Sequence, residues 1–131
     1  ASLEEILHMI TEKGYALVYP DVFGEFVGST VADLMDGARG GRFLTQPSEY
    51  PADAWFTYDD PTSDYATMVT EYLYWAITSN LGAQEYRASE IADEWIAYTP
   101  ELLEQIDPGI VQLIGNATYR LPSTLPDGDY L

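Results

Sequence analysis

The chain has 131 residues, enough for one domain of ordinary size, with 22 Asp and Glu against 5 Lys and Arg and a net charge of -17. So few cations cannot neutralise a phosphate backbone, which excludes nucleic acid as a main ligand and disfavours anionic membrane surfaces; no apolar run approaches the roughly 18 residues that span a bilayer. With 47% hydrophobic residues, 14% aromatic residues and no cysteine, the composition predicts a folded core without disulfides, thiolate zinc or a cysteine nucleophile.

In chain order, Leu3, Ile6, Leu7 and Ile10 recur with the spacing of one helix face, Ser2 and Glu5 form a capping box, and Gly14 stops the run. Residues 15–29, interrupted by Pro20, Gly24 and Gly28, predict a short extended piece followed by turns. A second helix is expected from Thr30 to about Ala38, capped by Thr30 with Asp33 three residues on. Residues 40–62 read as a long irregular stretch with an aromatic and acidic run from Trp55 to Asp60, the kind of loop that is functional or pinned by packing.

The most regular helix is predicted over 65–80. Tyr65, Met68, Val69, Tyr72 and Ala76 share a face, Asp64 or Thr62 caps the start and Gly82 ends the run. Three shorter helices are expected at about 86–98, at 100–106 opened by Thr99-Pro100, and at 108–114 opened by Asp107-Pro108. The tail over 116–131 reads as an extended arm. The pattern predicts a mainly α fold: a single helical domain spanning 1–131, with five to six helices, long aromatic loops and that C-terminal arm. Ala1 in place of Met, with no targeting segment before the first helix, suggests a processed or excised chain, and the acidity suggests export to the extracellular space or periplasm.

The single histidine carries the most specific chemistry. On a helix Glu4, His8 and Thr11 form a narrow stripe beside the apolar face, and a carboxylate and an imidazole at i, i+4 stand on successive turns, where both can reach one ion. The same spacing is also that of an ordinary surface Glu-His pair. The string Glu4-Glu5-Ile6-Leu7-His8-Met9-Ile10-Thr11, followed by Gly14-Tyr15, resembles the active-site helix of zincin metallopeptidases, whose signature is His-Glu-x-x-His. The resemblance covers about a dozen residues. It implies that His8 stands at the second zinc-ligand position and Glu5 at the general base, with Glu4 replacing histidine at the first ligand position. It further implies a third ligand on a second helix, for which Glu71 is the candidate. The expectation is a degenerate zincin-like metal site without efficient hydrolysis.

Other readings stay open. Glu71 could instead be hydrogen-bonded to a tyrosine or to Arg39 or Arg42. Calcium is a second possible cation, with oxygen ligands at Asp59, Asp60 and Asp64 or at Asp127 and Asp129, although neither group matches an EF-hand loop. No Gly-x-Ser-x-Gly elbow is present, and Gly37-Ala-Arg-Gly-Gly41 lacks the Lys-Ser/Thr ending of a phosphate loop, so Arg39 and Arg42 read as turn residues pairing with local acids. The rival class is a structural or self-assembling subunit, a homo-oligomer or protein partner, using exposed aromatic loops at 15–26 and 54–58 and the C-terminal arm for contacts.

Overall fold

A computed structural model describes residues 15–45, 47–57, 64–82, 84, 91, 94–116 and 118–119. The expected helix over 3–10 lies outside them, and so do Asp59, Asp60, Asp127 and Asp129. The described residues form a mainly α domain of six helices: α1 (Ala16–Val18), α2 (Pro20–Phe23), α3 (Thr30–Arg39), α4 (Tyr65–Asn80), α5 (Pro100–Ile106) and α6 (Pro108–Ile114). Helix α4 packs against α3, α5 and α6, and is the axis of the core.

Helix α4 starts as the sequence predicts. The Asp64 carboxylate accepts the Thr67 N–H at 2.8 Å, satisfying one of the donors that a helix start leaves unpaired. Its burial goes beyond the single apolar face: from Met68 to Ser79 every side chain is buried except Glu71, which is half-buried. Polar residues are accommodated because each finds a partner. Thr78 donates to Tyr74 O at 2.8 Å and accepts from Gln84 Nε2 at 3.0 Å, and Ser79 accepts from Trp95 Nε1 at 2.9 Å. Phe56, Tyr72 and Trp95 stack around this helix with ring centroids 5.8 to 6.1 Å apart.

Helix α3 is capped one residue earlier than expected. Ser29 accepts the Ala32 N–H at 3.1 Å and donates to Gly24 O at 2.7 Å, so its hydroxyl joins the preceding turn to the helix, and Thr30 is the first helical residue. Gly40 ends the helix in the left-handed region, at φ 80°, where a Cβ would also lie 2.7 Å from Pro51. Helices α5 and α6 match their expected bounds, with Thr99 and Asp107 as caps and Pro at the first position of each.

Two segments differ from expectation. Residues 15–29 contain α1 and α2 rather than an extended piece. Tyr15, Tyr19 and Phe23 recur every four residues, and Tyr19 and Phe23 pack edge-on against Tyr119, at 4.9 and 5.0 Å, which favours helical turns over an extended chain. Residues 94–98 are not helical, because Trp95 forms an antiparallel bridge with Phe56, flanked by bonds from Thr57 N to Glu94 O and from Ile96 N to Trp55 O. The beginning of the tail is a turn, closed by Tyr119 N to Asn116 O at 3.1 Å.

Candidate functional site

Of the residues proposed to hold a cation, Glu71 is described; Glu4, Glu5 and His8 lie outside the described residues. Glu71 sits at the middle of α4, the one half-open position in a buried stretch. Arg39 and Arg42 take other partners, so neither is its counterion. One turn later, on the same face, Trp75 is 7% exposed and its indole Nε1 has no hydrogen-bond partner. The other two indoles are satisfied: Trp55 donates to Asp107 and Trp95 to Ser79 and Ala97 O. A buried donor without an acceptor costs about 1–3 kcal/mol, so the face shared by Glu71 and Trp75 carries an unmet polar demand.

Asp64, a candidate calcium ligand, serves as a helix cap. The backbone N–H and the hydroxyl of Thr67 hold its carboxyl below the usual carboxylate range. Among the described residues no group of three His, Cys, Asp or Glu side chains is arranged to hold a metal ion. The cation set expected from the sequence draws all but one of its members from outside those residues.

Two polar clusters were not visible in the sequence. In the first, exposed Arg42 forms ion pairs with Asp33 at 3.2 Å and Asp36 at 2.9 Å, as expected of a turn arginine, and Tyr65 donates to the other Asp36 oxygen at 2.8 Å. Burial and this bond to a carboxylate push the Tyr65 phenol well above its ordinary value. In the second, buried Asp107 accepts from Tyr72 at 2.7 Å, from Trp55 Nε1 at 3.1 Å and from Ile110 N at 3.4 Å. Burial and the adjacent Asp107 charge push the Tyr72 phenol up.

The loops expected to offer aromatic anchors turn several of them inward. Phe23 and Phe56 are buried, while Tyr15, Tyr19 and Trp55 pack partly buried against the core. The large apolar side chains most open to solvent are Leu17, Val18 and Leu44, with Phe26, Ile96 and Val27 next. No described helix is long and apolar enough to cross a membrane. Comparison with protein-family models, curated proteins and solved structures finds no match to this chain.

Proposed function

We propose that the protein is an exported acidic domain that holds a divalent cation, zinc first and calcium second, through Glu4, His8 and Glu71, and that it hydrolyses little or nothing. The observation that carries the reading is the half-buried Glu71 in the buried stretch of α4, one turn before an indole N–H with no acceptor. The donor set suits the ion: imidazole and carboxylate are ordinary zinc ligands, and the carboxylates alone suit calcium.

Zinc, when held, acts as a Lewis acid on an oxygen ligand. Glu5, one position before the turn that brings Glu4 under His8, is the residue available to take a proton there. Weak hydrolysis follows from charge. Two glutamates and one histidine cancel the ion's two positive charges, where two histidines and one glutamate leave it one, so the polarising power is lower. An acidic, cysteine-free surface is compatible with extracellular or periplasmic water, where the domain is proposed to act.

The test is thermal unfolding with and without zinc. A cation bound only by the folded state raises the melting temperature with ion concentration, and His8→Ala removes the rise. A melting temperature indifferent to zinc would overturn the proposal.

A second reading, a self-assembling structural subunit, is favoured by a different observation: Leu17 and Val18 are 70% and 67% exposed. It predicts a sedimentation mass well above 14.6 kDa that falls to the monomer value in a Leu17→Ser, Val18→Ser protein.

A further inference from the structure

Arg39 has no solvent-exposed surface, and no carboxylate is among its hydrogen-bond partners. The nearby acids are engaged elsewhere. Asp33 and Asp36 hold Arg42, and Asp36 also accepts from Tyr65. Nη1 of Arg39 donates to Phe43 O at 2.6 Å, Nη2 reaches the Tyr50 hydroxyl at 3.4 Å, near the limit of a hydrogen bond, and Nε has no acceptor. The guanidinium carbon lies 5.3 Å from the Phe43 ring centroid and 5.7 Å from that of Tyr50. These π faces and the carbonyls at the end of α3 offset part of the charge. They do not satisfy the donors along the Nε edge, and a buried charge with unmet donors is among the costliest groups a fold can carry.

We propose that the Nε and Nη2 edge of Arg39 is a binding site for a small carboxylate. That edge presents two parallel N–H bonds at the spacing of the two carboxylate oxygens, a match that a halide cannot use in full. Size follows from burial: a group without exposed surface admits a ligand of formate or acetate dimensions. The wall over it is the stretch 41–50, which has no helix or strand among its described residues and exposes Leu44, Thr45, Ser48 and Glu49. A segment with so few backbone bonds opens locally without unfolding the core. The site is independent of the cation reading, since it uses neither α4 nor the amino-terminal stripe.

The test is a titration of the whole protein with sodium formate, following the arginine Nε–H resonances by proton-nitrogen correlation, with sodium chloride at equal ionic strength as the control. The chain has four arginines, Arg39, Arg42, Arg87 and Arg120, so the spectrum is simple, and Arg42→Gln and Arg39→Lys assign two of them. The expected result is a saturating downfield shift of the Arg39 resonance in formate but not in chloride, with the other three moving slightly and without saturation. An Arg39 resonance that follows the chloride control overturns the proposal. So does one that already lies downfield and ignores formate, because a carboxylate of the chain itself then occupies the edge. Both outcomes are read on the unaltered protein, whether or not Arg39→Lys folds.

Discussion

Asp107 shows how much one side chain can organise. Its carboxylate starts α6 by accepting from Ile110 N, and it also holds the Tyr72 hydroxyl from α4 and the Trp55 indole from the long loop. Each bond to a charged acceptor contributes on the order of 1.5–3 kcal/mol. Asp107→Asn separates these roles, since asparagine caps a helix about as well as aspartate but turns an N–H₂ toward donors that need an acceptor. The expected loss is about 2 kcal/mol, read as a lower denaturant midpoint with an unchanged slope; an unchanged midpoint would mean that Tyr72 and Trp55 find other acceptors. The capping role was legible in Asp107-Pro108. The other two partners lie 35 and 52 residues away, and no local pattern reports a contact of that range.

Helix α4 was legible in its bounds and less so in its surroundings. Asp64 and Gly82 mark its ends and the spacing from Tyr65 to Ala76 marks one face. Nothing in the helical period indicated that Thr70, Thr78 and Ser79 would also be buried, because their partners are backbone carbonyls and the distant Trp95 and Gln84. The turns around Tyr15, Tyr19 and Phe23 were missed for a related reason. Pro20 reads as a breaker, yet it occupies the first position of α2, where proline is tolerated.

Two phenols of α4 give this element a pH signature. Burial first, and then bonds to Asp36 and Asp107, raise Tyr65 and Tyr72 above the ordinary value of 10.0. The folded chain keeps protons that the unfolded chain releases near that pH, so the stability they confer is complete below it and is lost as pH rises above it. Phenolate absorbance and circular dichroism recorded together should show Tyr65 and Tyr72 ionising only as the helix unfolds. Reversible titration of every tyrosine near pH 10 in a folded protein would contradict this.

For the whole molecule, the mainly α architecture followed from capping signals and periodicity, while the sites depend on contacts between distant segments. A chain with a charge of -17 repels itself, and a bound cation relieves that repulsion as well as satisfying its own ligands. Arg39 shows the reverse: in an acidic chain, a buried cation is held by rings and a carbonyl rather than by one of many carboxylates. Calcium tests only the carboxylates, whereas zinc also engages His8. The most direct measurement is therefore the zinc affinity of the unaltered protein and of Glu71→Gln, by equilibrium titration against a competing chelator. Binding of one ion, weakened at least about tenfold by removing this ligand charge, is the predicted result; equal affinities, or no binding by either protein, would contradict the account.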